Sequence, residues 1–254
     1  MPALLFLGLT SCSLVRWKKP QRLEGMNAKG YSTSEYLAHQ DYLLNSFLES
    51  NEAQLIKLSV SQKNYLANLY SFIRKKNELF FTSKSEPVFY MIKSNEPFHF
   101  SLPDNHFFFS SSLLSKYIKN ESLLNCALVF EMIRSEKNLY NKNVLFPTGD
   151  LSVDQVLGLQ RLSVEDKVEI HKWAYYLLRR VEIQGDSYLS WLQIKNRNSI
   201  DFIKQLGDVQ SISREESLFK SFLISSKHSQ ERRIEYRGSS RGFYNLINLA
   251  KVSM

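Results

Sequence analysis

Residues 123–139, LLNCALVFEMIRSEKNL, decide the fold. The stretch is long, has no Gly or Pro and is almost wholly apolar in its first half, which favours a helix over a strand. A helix that is apolar around most of its circumference is normally buried. The sequence therefore predicts a central helix. Glu131 lies within it as an acidic side chain that needs a partner, because burying an unpaired carboxylate is costly.

Three short stretches before this helix predict a small sheet. Residues 88–92, VFYMI, form an apolar run typical of a buried strand. Residues 97–103, PFHFSLP, alternate in character and have Pro at each end, which is typical of an edge strand. Residues 107–109, FFF, follow a turn at residues 103–105, PDN. We expect a sheet of about three strands.

Helical patterns flank these strands. Apolar residues recur at helical spacing over residues 34–76, with a break near 49–52 that indicates two helices. Ser163 and Asp166 resemble a capping box that begins a helix over residues 164–181. Residues 200–206 belong to a further helix, and residues 141–155 read as a loop. The predicted class is α+β, with helices dominant.

Composition excludes several functional classes. The chain has 254 residues, 43% hydrophobic and 23% charged, close to the globular average, so it is not a disordered tail. No apolar run approaches the roughly 20 residues of a membrane-spanning helix. The net charge is +8, but the basic residues are scattered and no nucleic-acid motif accompanies them. We therefore expect no nucleic-acid partner, and either a solvated surface or attraction to an anionic membrane.

The two cysteines lie in different contexts. Cys126 lies inside the apolar helix and is expected to be a small buried hydrophobe. Cys12 follows LTS and a short apolar stretch, which resembles the lipobox of bacterial lipoproteins. This resemblance predicts a signal segment over residues 1–11, lipid on Cys12, a basic tether over 12–33, a domain over 34–240 and a C-terminal tail over 241–254. The alternative is a plain hydrophobic N-terminus, because no Lys or Arg precedes Cys12.

Four segments in order resemble a family of zinc metallopeptidases. They are the strand-turn-strand 97–105 PFHFSLPDN, the SLL at 112–114, the helix segment 129–134 VFEMIR, and the EIQGD at 182–186. The family includes HtpX, the mitochondrial protease Oma and the CAAX prenyl proteases. It carries an NAFxLPGG turn, a GLL segment, the zinc motif HExxH and a downstream ExxxD. The resemblance implies a metallopeptidase-like, zincin-like fold over roughly residues 52–237.

The resemblance also implies a site, from which key groups are missing. Glu131 takes the place of the general base, Glu182 that of the third zinc ligand, and Asp186 that of its support. The two motif histidines are replaced by Phe130 and Arg134. Phenylalanine has no lone pair and arginine is always protonated, so neither ligates zinc. We therefore expect no cofactor. Because Glu182 would lack its metal, we expect Arg134 to pair with it, shared with Glu131 or Asp186, while Phe130 packs over the vacated site. In the alternative, Arg134 is exposed in solvent.

These expectations lead to one functional hypothesis and two alternatives. The hypothesis is an inactive pseudo-enzyme, anchored by lipid and facing the periplasm in a bacterial cell envelope. It would bind an envelope protein or peptide along the edge strand at Phe98, His99 and Phe100. The first alternative is a divergent active metalloendopeptidase that holds zinc through other ligands. The second is a structural envelope lipoprotein whose resemblance to peptidases is fortuitous.

Overall fold

The computed structural model describes residues 33–50, 53–140, 151–183, 186–225 and 238–254. Within them the chain is α+β and mostly helical, as predicted. The helices are α1 (Thr33–Glu49), α2 (Val60–Lys76), α3 (Glu121–Lys137), α4 (Val153–Leu159), α5 (Val164–Arg180), α6 (Asp186–Arg197), α7 (Ile203–Leu206), α8 (Val209–Ser225) and α9 (Arg241–Val252), with a short π-helix at Leu113–Tyr117. The strands are β1 (Leu55–Ile56), β2 (Val88–Ile92), β3 (His99–Leu102) and β4 (His106–Ser110). Among these residues, no helix is both long and apolar enough to cross a bilayer.

The four strands form one mixed sheet in the order β1-β2-β4-β3. β2 and β4 run parallel, with Phe89 opposite Phe107, whereas β1 and β3 are antiparallel to their neighbours. A turn at residues 103–105 joins β3 to β4, as expected. Asp104 and Asn105 there have φ of 57° and 63°. Asp and Asn are among the residues that most readily adopt this left-handed conformation, so the turn forms without glycine.

The sheet separates two hydrophobic clusters. On one face, Phe89 and Phe107 belong to the larger cluster, which also contains buried residues of α2, α3, α5, α6, α8 and α9. On the other face, Phe100 and Phe108 belong to a smaller cluster with α1 and α4. The alternation of side chains along a strand explains this division, and it directs His99 and Ser101 of β3 towards the larger cluster.

α3 is the predicted central helix. Asn120 caps its N-terminus by accepting from the Leu123 amide, and Asn138 ends it in a left-handed conformation with φ of 48°. All residues from 123 to 135 are buried. The Cys126 thiol is fully buried, as expected, and burial raises its pKa.

Three features differ from the predicted arrangement. β1 adds a fourth strand of only two residues, too short to leave a pattern in the sequence. Part of the expected loop at 141–155 belongs to α4, which begins at Val153 behind a capping box. Residues 241–252, expected as part of a tail, form α9, whose buried residues belong to the larger cluster. The predicted signal segment and most of the tether lie outside the described residues.

Candidate functional site

The candidate site lies where α3 crosses β3. Glu131 is on the face of α3 that meets the strand, and its side chain is fully buried. His99 and Ser101 are two residues apart on β3, so both side chains lie on the same face of the sheet and contact Glu131. An edge strand and a central helix thus bring together groups from two distant parts of the chain.

Both carboxylate oxygens of Glu131 accept hydrogen bonds. Nδ1 of His99 lies 2.7 Å from Oε1, and the Ser101 hydroxyl donates to Oε2 over 2.9 Å. Arg134, one turn further along α3, also donates to Oε2 over 3.3 Å. Because the carboxylate is the acceptor, the His99 proton lies on Nδ1. Nε2 of His99 is buried and has no hydrogen-bond partner among the described residues.

Arg134 is held by more than its ion pair. Its Nη2 donates to the backbone oxygen of Gln160 over 2.8 Å and also to the Gln160 side chain. Its Nε donates to the Leu139 carbonyl over 3.4 Å. The guanidinium carbon lies 5.9 Å from the centre of the Phe130 ring and 5.7 Å from that of Tyr140. Arg134 is 3% exposed, so it is a buried cation with oxygen acceptors on several sides.

These contacts set the charge state of the site. Burial would raise the pKa of Glu131, but the charge of Arg134 and the hydrogen bonds from His99 and Ser101 outweigh it, and the pKa lies below its ordinary value. Burial lowers the pKa of His99, and the nearby Glu131 offsets this only in part. At neutral pH the site therefore holds an ionised glutamate, a neutral histidine and an arginine cation.

A second buried polar cluster lies beside the first, across the Phe130 ring. That ring is 6.0 Å from the His99 ring and 5.3 Å from the ring of His171 on α5. His171 contacts Tyr188 through Nδ1 over 2.9 Å and Glu215 of α8 through Nε2 over 3.2 Å. Lys167 donates to the other oxygen of Glu215 over 2.8 Å. We call His99, Ser101, Glu131, Arg134 and Gln160 the Glu131 cluster, and Lys167, His171, Tyr188 and Glu215 the Glu215 cluster.

A buried lysine lies near both clusters. Nζ of Lys195 is 6.0 Å from the centre of the Phe130 ring and 5.9 Å from that of Trp191, and the residue is 5% exposed. Burial lowers its pKa, against the opposing effect of Glu215 and Glu131. Burial would raise the pKa of Glu215, but His171, Lys195 and Lys167 hold it at about 2.

The residues to which the resemblance assigns the zinc motif do not fit zinc. Phe130 contributes an aromatic face and Arg134 a permanent cation, and a cation repels a metal ion. Three donors within its own cluster bind the Glu131 carboxylate, one at Oε1 and two at Oε2. Among the described residues, no group of three or more His, Cys, Asp or Glu side chains is placed to hold a metal ion.

The predicted pair between Arg134 and Glu182 is wrong. Arg134 pairs with Glu131, which was expected only to share this contact with Glu182. Glu182 is instead exposed, in the turn after α5, with φ of 58°. The α5 residue that reaches Phe130 is His171, and Glu182 follows it by 11 positions, in the turn beyond the end of α5 at Arg180. Glu182 is therefore too far along the chain to join the cluster. Asp186 begins α6, and its side chain lies outside the described residues.

The predicted peptide-binding edge is also wrong. β3 is the edge strand of the sheet, as predicted, but Phe98 and Phe100 are fully buried and His99 is 1% exposed. α3 packs on one face of the strand and the smaller cluster on the other. Gln205 at α7 donates to the His99 carbonyl over 2.6 Å, which occupies the outer side of the strand. No peptide can pair with β3 in this arrangement.

Sequence reasoning missed most of the partners of the site. His99 and Ser101 carry a usable signal, because polar residues two apart in an otherwise apolar strand share a face and need a buried partner. Gln160, His171, Lys195 and Glu215 leave no such signal, since they lie on helices whose relative placement the sequence does not reveal. The predicted lipid site, Cys12, lies outside the described residues.

Compared with known proteins, the chain matches no family model and no curated protein.

Proposed function

We propose that the chain is a degenerate, non-hydrolytic relative of the HtpX-like zinc metallopeptidases that acts by binding another protein or peptide. The observation that carries this proposal is the state of Glu131. A general base needs a lone pair free to take a proton from water. Here three donors hold three of the roughly four lone-pair sites of the carboxylate, and one of these donors is a permanent cation that lowers its basicity. The side chain is also fully buried, away from water.

The backbone supports the relationship to these peptidases. Asp104 and Asn105 stand where the family has glycines in its strand-turn-strand, and both have the positive φ that glycine adopts most easily. The helix with the glutamate lies against the neighbouring edge strand, in the order that the motifs imply. On this proposal, the turn and the packing of helix on strand are retained, although the catalytic groups are replaced.

His99 and Glu131 resemble a catalytic pair but are closed to substrate. A histidine that donates through Nδ1 to a carboxylate and has a free Nε2 is the usual form of a general base or a metal ligand. In this chain His99 is 1% exposed, and its ring packs between Phe130 and Trp191 with ring centres at 6.0 and 5.7 Å. No substrate can approach Nε2, which favours a structural role.

The cellular setting is part of the same proposal. Lipid on Cys12 would anchor the chain to a bacterial cell envelope, facing the periplasm, with residues 12–33 as a basic tether beside anionic lipid. The partner is a protein or peptide of the envelope, and nucleic acid is not a partner. The scattered basic charge agrees with a membrane-proximal protein.

The test combines metal analysis with a cleavage assay on the purified full chain. We expect less than stoichiometric zinc after dialysis against zinc, and no cleavage of casein with or without zinc. The variant Glu131→Gln controls for a contaminating peptidase, because any cleavage that it retains does not come from this site. Zinc-dependent cleavage that chelation stops and Glu131→Gln abolishes would refute the proposal and establish the divergent peptidase.

A further inference from the structure

We propose that the uncovered edge of β2 binds an extended acidic segment of a partner protein as an added strand. This inference rests on the proposed binding function and places it on the side of the sheet opposite to β3. The site is a groove of about 450 Å³, within the usual range for binding pockets. Its walls are the end of β1 with the turn after it, the first half of α2, and residues 87–91.

The hydrogen-bond register identifies the backbone groups that face this groove. The Val88 amide donates to Asn105 on the β4 side, over 2.9 Å, whereas the Lys93 amide donates to Gln54 on the β1 side, over 2.8 Å. Since successive residues of a strand direct their backbone groups to opposite sides, Phe89 and Met91 face the β1 side. The N–H and C=O of Phe89 are therefore directed into the groove.

β1 is too short to cover them. It pairs Leu55 with Ile92 and Ile56 with Met91, and in the described residues no strand lies opposite Phe89 on that side. The chain then leaves the sheet to begin α2, because Ser59 caps that helix. Pro87, which has no N–H, closes the far end of the edge. The open edge is one residue pair long, and Phe89 is 7% exposed because its ring packs in the larger cluster while its backbone lines the groove. This short length limits indiscriminate pairing with other sheets.

The charge of the residues that line the groove indicates which class of partner it binds. The residues that line the groove include Lys57 and Lys63 but no Asp or Glu. Both lysines are exposed, and among the described residues neither forms an ion pair. An extended segment that pairs with Phe89 would place alternate side chains within reach of these ammonium groups. A strand with acidic residues matches both the hydrogen-bonding and the electrostatic character of the groove.

The experiment uses the full chain and two synthetic peptides, Val-Glu-Val-Glu-Val and Val-Lys-Val-Lys-Val. Amide chemical shifts from NMR report where each peptide binds. We expect the glutamate peptide to shift the Phe89 amide, and an N-methylated version of it to bind more weakly because it loses donors. The lysine peptide should bind about tenfold more weakly, or not at all, since like charges repel.

Charge-reversed variants provide the matched comparison. Lys57→Glu combined with Lys63→Glu should weaken the glutamate peptide about tenfold. Lys75→Glu combined with Lys76→Glu changes the net charge of the protein by the same amount, at the end of α2 and outside the groove. This control pair should leave binding unchanged. Equal weakening by both pairs would overturn the groove in favour of a general field effect.

The other outcomes separate this inference from the proposed function. A peptide that stays intact without shifting Phe89 would overturn the groove and leave the non-hydrolytic function standing. A peptide cleaved in a zinc-dependent way, detected by mass spectrometry, would overturn the proposed function. Self-association that depends on protein concentration and shifts Phe89 without peptide would show that a second copy occupies the edge, and would overturn the acidic partner.

Discussion

At the residue scale, Glu131 distinguishes a catalytic site from a structural one. A catalytic carboxylate is usually kept at some expense of stability, so that its removal is neutral or stabilising. Glu131 instead neutralises a buried arginine and orients His99. Removing one partner of such a buried pair leaves an uncompensated charge. The sign of the change in stability therefore reveals the role of the residue.

Glu131→Gln should lower the free energy of unfolding by about 3 kcal/mol, because Arg134 loses its counterion while remaining buried. Urea denaturation measures this change. Glu169→Gln is the matched control, since Glu169 pairs with Lys172 over 3.2 Å in an exposed position and should cost at most about 1 kcal/mol. An unchanged or increased stability of Glu131→Gln would contradict the structural role.

Glu215 should make the protein sensitive to acid. Its pKa in the folded state is about 2, below the usual value of 4.5, so the folded state binds fewer protons than the unfolded state between these values. The stabilisation is fully present above pH 4.5 and is lost as the pH falls towards 2, by about 3 kcal/mol in total. Unfolding measured over this range should have a shallower pH dependence in Glu215→Gln. Identical slopes in the two proteins would argue against a paired Glu215.

At the element scale, the sequence predicts the helices and strands that depend on the local pattern of apolar and capping residues. The apolar run of α3, the alternation of β3 and the capping residues of α5 each appear in the chain itself, and the structure has all three. The partner of Arg134 does not appear there, because Glu131 and Glu182 are both plausible carboxylates until the turn after α5 is placed. The outer backbone side of β3 is likewise covered by Gln205, which comes from a distant helix of only four residues.

The packing of α9 can be tested by replacing two glycines with alanine, because the two changes should alter the stability of the fold in opposite directions. A Cβ at Gly242 would lie 2.4 Å from Cδ2 of Tyr65, whose hydroxyl is held by Glu121 over 2.6 Å. Gly242→Ala should therefore destabilise the fold by about 1–3 kcal/mol. A Cβ at Gly158 in α4 would meet nothing within 4 Å. Gly158→Ala should stabilise by up to about 1 kcal/mol, the usual gain in a helix.

Thermal unfolding of the two variants measures these changes. A destabilised Gly242→Ala beside a stabilised Gly158→Ala would confirm that α9 packs against α2 as part of the domain. If Gly242→Ala behaves like Gly158→Ala, α9 is not held against Tyr65.

At the scale of the whole molecule, the buried charges and the surface charges have different roles. The Glu131 cluster pairs a glutamate with Arg134 and the Glu215 cluster pairs one with Lys167, while Lys195 lies near the Phe130 ring between the two clusters. These groups come from α3, α5, α6 and α8, and they are buried or nearly so where those helices meet. The excess of positive charge in the sequence is scattered along the chain, and scattered charge does not specify a binding site.

The anchor is a prediction at this scale, and the chain provides its own control. If lipid is attached at Cys12, protein produced in a bacterial envelope should partition into the detergent phase, because a lipidated chain buries its acyl groups. Cys12→Ser should move it to the aqueous phase. Cys126→Ser should leave partitioning unchanged, since the Cys126 thiol is buried in α3 and its raised pKa keeps it protonated. With Cys12 present, the mass of the intact protein should exceed that of unmodified residues 12–254 by the mass of the attached lipid. The Cys12→Ser protein should carry no lipid mass. Full partitioning of Cys12→Ser into detergent would refute the lipid anchor and favour the plain hydrophobic N-terminus.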